Sequence, residues 1–360
     1  MNFGIMFFSS YTREFADKYD LVLKAALLAE RYNLSSIWLP ERHFDSFGGI
    51  FPNPAILASA IAVQTKNIKL HAGSLISPLH NEIRIAEDWS VVDNLSQGRV
   101  GISFGSGWNV NDFILYPERY TIRHVTMYNQ IEIIKKLWSG EKIIYKNSFD
   151  KETEISIYPK PIQRNLPIWI TSSGNIETYK SAGRIGANIL THLIGQDRET
   201  LSNNIKIYRE ERFKNNHKPE DGEITLMLHT FVSDRMDYVR DKVKIPFREY
   251  IRSAVALENK AAQGGGTISG GLKIPSQNIP DDIMEELLDV TFEKYFNYSS
   301  LMGTPEKCKK IVSDFKKIGV TEIACLIDFG VDQNDILENM KYLHVLKESC
   351  DNLYNVTTLT

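Results

Sequence analysis

Residues 82–109 read EIRIAEDWSVVDNLSQGRVGISFGSGWN and set the pattern of the whole chain. A helical stretch, Glu82–Leu95, passes through a short connection into an apolar strand, Val100–Phe104, which ends in the glycine-rich GSGWN. The same unit recurs on both sides. Upstream, the apolar run Phe3–Phe8 precedes a helix over Asp17–Tyr32, where Leu21, Ala25, Leu28 and Ala29 recur at helical spacing. Ser36–Leu39 is a second strand, followed by helix Asn53–Gln64 with Pro54 in its first turn. Ile68–Ile76 is a third strand. Downstream, His124–Trp138 is helical, with Ile131, Ile134, Lys135 and Trp138 on one stripe. Strand Leu166–Thr171 and helix Ile176–Ile185 follow, then strand Asn188–His192, helix Arg198–Lys214 and strand Ile224–Val232. Helix Pro305–Lys317 precedes the last strand, Thr321–Asp328, and helix Asp335–Glu348 follows it. Eight strands separated by helices in 360 residues predict an α/β fold, a (β/α)8 TIM barrel with insertions. A doubly wound sheet would carry a glycine fingerprint in its first strand-to-helix turn, and here residues 9–14 read SSYTRE.

Two stretches interrupt the alternation. Residues 141–161, EKIIYKNSFDKETEISIYPKP, alternate like a β-hairpin. Residues 260–300 contain GGGTISGG, too long and glycine-rich for an ordinary barrel connection, and read as a mobile lid over the site or a plain flexible loop. No repeat or domain-sized linker appears, so residues 1–350 are expected to form one domain, with 351–360 a C-terminal tail. Lys and Arg number 42 against 45 Asp and Glu, a net charge of −3 that gives no whole-surface attraction for nucleic acid. Cys308, Cys325 and Cys350 lie far apart, with no CxxC pair for zinc or redox work. The opening MNFGIMFFSSYTREF lacks a basic signal region, and Pro54–Val63 is half a membrane span. The expectation is a cytoplasmic protein with neither a membrane nor a nucleic-acid partner.

Familiar catalytic motifs fail. Gly105-Ser106-Gly107 meets Val110 where a dinucleotide fingerprint needs glycine, and GGGTISGG lacks the P-loop lysine. No HExxH or GxSxG occurs, and the histidines show no ligand spacing, so no metal is expected. Polar residues instead gather at strand ends: Glu41-Arg42-His43-Phe44, His71-Ala72-Gly73-Ser74, Gly105-Ser106-Gly107-Trp108-Asn109, Thr171-Ser172-Ser173-Gly174-Asn175 and Thr191-His192. In a parallel barrel these ends open on one face, where catalytic groups collect. The SSGN segment precedes a helix, so its amides and hydroxyls offer a phosphate site with Arg123 as countercharge, or simply a helix cap. Glu41 beside Arg42 reads as half of an ion pair.

Five blocks then carry a resemblance: FGIMFFSSYTRE (3–14), SIWLPERHFDSFGG (36–49), PNPAILASAIAVQTKNIKLHAGSLISPLH (52–80), RIAEDWSVVDNLSQGRVGISFGSGWNVNDF (84–113), and PIWITSSGN with AGRIGANILTHLIGQ (167–175, 182–196). Together they resemble the bacterial luciferase-like flavin-dependent monooxygenases, densely over 1–195 and loosely over 300–348, and in particular the branch found in natural-product biosynthesis. The resemblance implies a two-component enzyme. Reduced FMN from a separate flavin reductase binds at the rim and reacts with O2 to a C4a-(hydro)peroxyflavin, which oxygenates a small-molecule or carrier-protein-tethered intermediate. By motif position Gly73 and Ser74, joined in this family by a non-proline cis bond, pass beside the isoalloxazine. Gly105 and Ser106 let backbone approach the flavin. Arg123, Ser172, Ser173 and Gly174 carry its phosphate, and His192 lines its edge. His43 and Arg42 are the catalytic residues, donating hydrogen bonds to the peroxide. The family also implies a homodimer, through the apolar helices near 54–63 and 84–95.

The chain departs from luciferases at telling positions. They carry Glu-His-His-Phe where this sequence has Glu41-Arg42-His43-Phe44, and an arginine, protonated at neutral pH, cannot act as a base. It can hold a peroxide anion or a substrate carboxylate. Ser106 stands where luciferases have a second phosphate-binding arginine, and Asn109 where they have tyrosine. Phe7, Phe8, Tyr11, Phe44, Phe47 and Trp108 supply pocket walls or core. Two other readings remain open at this point: a flavin or deazaflavin oxidoreductase that moves hydride without O2, and a non-catalytic flavin-binding protein.

Overall fold

A computed structural model describes residues 1–8, 18–265 and 280–351 of the chain. Its elements run β1 (Asn2–Met6), α1 (Asp20–Arg31), β2 (Ser36–Leu39), α2 (Pro54–Ala62), β3 (Lys69–Ile76), α3 (Glu82–Ser96), β4 (Val100–Gly105) and α4 (Arg123–Ser139). A two-stranded hairpin, β5 (Ile143–Lys146) and β6 (Glu152–Ile155), precedes β7 (Ile168–Ser172), α5 (Ile176–Arg184), β8 (Asn188–His192), α6 (Arg198–Lys214) and β9 (Ile224–Val232). Then come α7 (Met236–Gln263), α8 (Asp281–Lys294), β10 (Leu301–Gly303), α9 (Pro305–Lys317), β11 (Glu322–Leu326) and α10 (Gln333–Asp351).

Eight strands pair in parallel in the order β9-β11-β1-β2-β3-β4-β7-β8, and β8 returns to β9, so the sheet closes on itself. The strands are short and almost wholly buried, as parallel strands covered on both faces must be. Their inward side chains fill the lumen. The His71 ring lies between Trp38 and Trp169, with centroids 4.4 and 4.6 Å away. Gly101 makes room for them, since a Cβ there would come within 2.8 Å of His71 and of Trp169. Burial pushes the His71 pKa down to about 3, so this imidazole is neutral. At the N-terminal end, the buried Glu322 carboxyl accepts the hydroxyls of Ser35, Ser36 and Thr225, and burial raises its pKa.

The expected barrel is present, and all eight sequence-read strands belong to it. Helix starts follow side-chain caps: Asn53 accepts the amides of Ala55 and Ile56, and Asn81 those of Ile83 and Arg84. Residues 143–155 form the expected hairpin. Two features differ from expectation. The 28-residue α7 was not legible in the sequence; Pro246 sits inside it and breaks the pattern that marks a helix. Within 260–300, the described residues are the end of α7, then α8 and a π-turn, Tyr295–Ser299, rather than a loop. The glycine run obscured the helical spacing of the buried Leu288 and Phe292. Residues 266–279, the middle of the 260–300 stretch read as a lid or flexible loop, lie outside the described residues, as do 352–360 of the expected tail.

Candidate functional site

The chain leaves β2 at Pro40 and turns Glu41 inward at the C-terminal rim, where its carboxylate is closed to solvent (0% exposed). Such a charge persists only if donors replace its lost hydration. Three do. His43 Nε2–H donates to Oε1 at 2.8 Å, His80 Nε2–H donates to the same oxygen at 2.5 Å, and the Ile76 amide donates to Oε2 at 2.7 Å. Burial alone would raise the Glu41 pKa, but these bonds outweigh it and the carboxyl titrates below its ordinary value. Burial likewise opposes charge on His43, yet the Glu41 bond and charge prevail and raise its pKa. The expected Glu41–Arg42 ion pair is therefore corrected: the partners of Glu41 are two histidines, because Arg42 turns the other way.

Arg42 is half-buried, with its guanidinium carbon 3.9 Å from the centroid of Phe8 and 5.6 Å from that of Phe47. Burial lowers its pKa, while the hydroxyl of Tyr250 and the carboxylates of Asp112, Asp45 and Asp328 act the other way. Each of those carboxylates is bonded elsewhere: Asp112 to Asn109, Asp45 to Lys260 and the Phe47 amide, Asp328 to the Phe8 amide. Arg42 thus makes no ion pair among the described residues. Desolvation pushes the Asp112 pKa up to about 6 against the pull of His43 and Arg42.

The second half of the rim adjoins the first through Ile76, whose amide meets Glu41 and whose side chain lies beside Gly105. Gly73–Ser74 is a non-proline cis peptide. The Ser74 hydroxyl is 2.5 Å from that of Thr171, which is 2.7 Å from that of Ser103. A Cβ at Gly105 would meet Ser74 at 3.4 Å, so these two glycine-bearing strand ends lie side by side. Ser106 is half-buried just beyond β4. Thr191 donates to the Ser172 carbonyl, and Gln196 donates to Thr191 and to the His192 carbonyl. Burial holds the His192 pKa at about 4, so that ring is neutral.

The SSGN turn forms the helix cap expected of it. Asn175 caps α5 by accepting the Glu177 amide, and Ser172 accepts the Gly174 amide. Gly174 has φ +109° and Gln196 packed against it, a place only glycine fills without strain. Ser173 is half-buried at the N-terminus of α5. Arg123 opens α4, donates Nη1–H to the Tyr120 carbonyl at 2.8 Å, and keeps a buried Nε–H with no partner among the described residues. No described contact joins Arg123 to Ser172–Gly174. A cation with a buried N–H unpaired among the described residues, and a serine at the N-terminus of α5, are the kinds of donor that suit a phosphate monoester, the charged end of FMN.

Sequence reading missed residues that reach this rim from a distance. His80 and Asp112 belong to turns after β3 and β4. Tyr250 of α7 packs on Phe8 and Phe47, at 6.3 and 5.4 Å, and on the buried His229 of β9 at 4.7 Å. Lys260, in the last turns of α7, bonds Asp45, and a Cβ at Gly264 would meet Asn111 at 2.8 Å. α7 therefore lies across the rim. Of the other aromatics expected as pocket wall or core, Phe7 is core, Trp108 half-buried, Phe44 exposed, and Tyr11 outside the described residues.

The chain matches the luciferase-like monooxygenase family over residues 1–322. It is 26% identical over 223 residues to the flavin-dependent trigonelline monooxygenase, oxygenase component, of Acinetobacter baylyi, covering 60% of each chain. It is 30% identical over 178 residues to an F420-dependent glucose-6-phosphate dehydrogenase of Amycolatopsis mediterranei, covering 46% of this chain and 51% of that one. The chain thus spans between half and three-fifths of the length of these relatives. Its fold is similar to the oxygenating constituent of 3,6-diketocamphane monooxygenase from Pseudomonas putida, a type II Baeyer–Villiger monooxygenase solved with FMN. The TM-score is 0.73 at 16% identity, over 96% of both chains. With most of its length matched by one family and with that family's barrel, the chain belongs to the luciferase-like monooxygenases.

Proposed function

We propose that this protein is the oxygenase of a two-component flavin system, taking reduced FMN from a separate reductase and oxygenating a small-molecule or carrier-protein-bound intermediate of natural-product biosynthesis. Bound reduced FMN would supply two electrons to O2; one oxygen atom enters the substrate and the other leaves as water. The observation that carries this reading is the meeting of two halves on one rim: the strand ends at Gly73–Ser74 and Gly105, joined through Ile76 to a Glu41-held His43 whose neighbour Arg42 makes no ion pair among the described residues. Arg123, Ser173 and Gly174 hold the phosphate, with Ser172 shaping their turn. Gly73, Ser74, Gly105, Ser106 and His192 border the ring system.

His43 keeps Nε2–H on Glu41, which leaves Nδ1 to take or give the proton. Arg42 offers a permanent cation to an anionic oxygen, on the reacting centre or on a substrate carboxylate. The side chain of Tyr250, laid over Phe8 and Phe47, excludes water from that cation and so strengthens its field. A homodimer fits the exposed apolar residues Ile56 and Val63 at α2 and Val91 and Leu95 on α3. No described helix is long and apolar enough to cross a membrane.

An O2-independent hydride-transferring oxidoreductase is the second reading, favoured by the identity to the F420-dependent dehydrogenase. Anaerobic titration separates the two. The first predicts saturable binding of reduced FMN in preference to reduced F420. Preference for F420, or no association with reduced FMN, overturns it.

A further inference from the structure

We propose that Glu41 and His80 are positioning residues for His43: the shared carboxylate fixes which imidazole nitrogen is free to exchange a proton, and His80 sets how much of that carboxylate's charge His43 feels. The inference deepens the reading of His43 given above and rests on it for the site's use, but its geometry stands alone. Both imidazoles point Nε2 at a single oxygen of Glu41, at 2.8 and 2.5 Å. A carboxylate has no proton to give, so each histidine must present Nε2–H. Nδ1 of His43 is then its only site for a proton from, or to, a reacting group.

The trio also has a charge balance. With His43 neutral the buried Glu41 carboxylate keeps its full negative charge, and with an imidazolium at His43 the pair is neutral, so the low-dielectric site favours the charged form of His43. The two rings differ in access to water: the His43 side chain is 12% exposed and that of His80 27%. His80 is fixed at this post. Its amide donates to the Ser77 carbonyl, and its own carbonyl accepts Arg119 Nη1–H at 2.7 Å and Gln130 Nε2–H at 2.9 Å. The other charged groups that act on His43 are Asp112, from the turn after β4, and its neighbour Arg42. Asp112 draws His43 toward the charged form, so Glu41 is not its sole anion, but only Glu41 is bonded to it. Removing His80 as a donor frees Glu41 for His43 alone; removing the Glu41 charge strands both rings.

The test is NMR titration of the histidine Cε1 and ring-nitrogen signals in flavin-free protein, wild type against Glu41→Gln, His80→Phe and His80→Gln. Wild-type His43 is expected as the Nε2–H tautomer. Its titration midpoint is expected to fall by about one unit or more in Glu41→Gln and to rise in His80→Phe. In His80→Gln, where an amide N–H replaces the ring N–H, the midpoint should return toward wild type. A purely structural role for His80 would not raise the His43 midpoint in His80→Phe and restore it in His80→Gln. An Nδ1–H tautomer in wild type, or a His43 midpoint that ignores His80→Phe, overturns the inference; if His80→Phe does not fold, the tautomer and the His80→Gln midpoint decide it. Because no flavin is present, failure here leaves the oxygenase reading intact, and failure of reduced FMN to bind leaves this network intact.

Discussion

At the scale of single residues, the rim owes its chemistry to which buried charges have partners. Arg123 keeps one buried N–H unpaired, and a charged hydrogen bond to phosphate contributes about 1.5–3 kcal/mol. Arg123→Ala should therefore weaken FMN by about tenfold or more while leaving riboflavin, which lacks the phosphate, nearly unchanged; equal losses for both ligands would remove Arg123 from the cradle. Asp112 carries the opposite problem. Its folded pKa of about 6 lies above the ordinary aspartate value, so the folded state holds its proton more tightly. The stability this gives is complete below the ordinary value of 3.8 and is lost as pH rises through about 6. Asp112→Asn cannot ionise, and its melting temperature should gain on wild type between pH 4 and pH 7. A gap that stays constant or narrows over that range would contradict the burial of this carboxyl. For His43→Ala the expectation is unchanged affinity for reduced FMN but a faster decay of the transient formed with O2, read by rapid-mixing absorbance; an unaltered decay would take His43 out of the chemistry.

At the scale of elements, the turn into α5 shows how local geometry shapes the proposed phosphate site. A side chain at Gly174 would force φ +109° on an L-residue and press on Gln196, whose amide ties Thr191 and His192 together. Gly174→Ala should cost about 1–3 kcal/mol in urea unfolding and lower FMN affinity as well; a neutral effect on both would mean that the turn has slack. This element was legible in the sequence, because the glycine and the capping asparagine sit in one short run. So were the eight barrel strands, since strands buried on both faces are written as unbroken apolar runs. The Glu41–His80 bond was not. It joins residues 39 apart through the end of β3 and exists only once the barrel has closed. The placement of α7 escaped for a related reason: Pro246 hides the helix, and nothing in Tyr250 itself says that it will lie on Phe8.

At the scale of the molecule, the ring of strands gathers five distant segments onto one rim, and α7 crosses it between Tyr250 and Gly264. Outside the ring, Ile56 and Val63 are 70% and 67% exposed, on the face proposed above to meet a second copy. Ile56→Asp is expected to convert a dimer to a monomer in sedimentation at micromolar concentration with the barrel intact, and a wild-type monomer would contradict the proposed association. The central claim is that this rim holds reduced FMN and governs how it meets oxygen. Rapid mixing of the anaerobic protein–reduced FMN complex with O2 tests it most directly. The account predicts reoxidation through a transient species that outlives the reaction of free reduced FMN; reoxidation at the rate of the free flavin, with no transient, would contradict it.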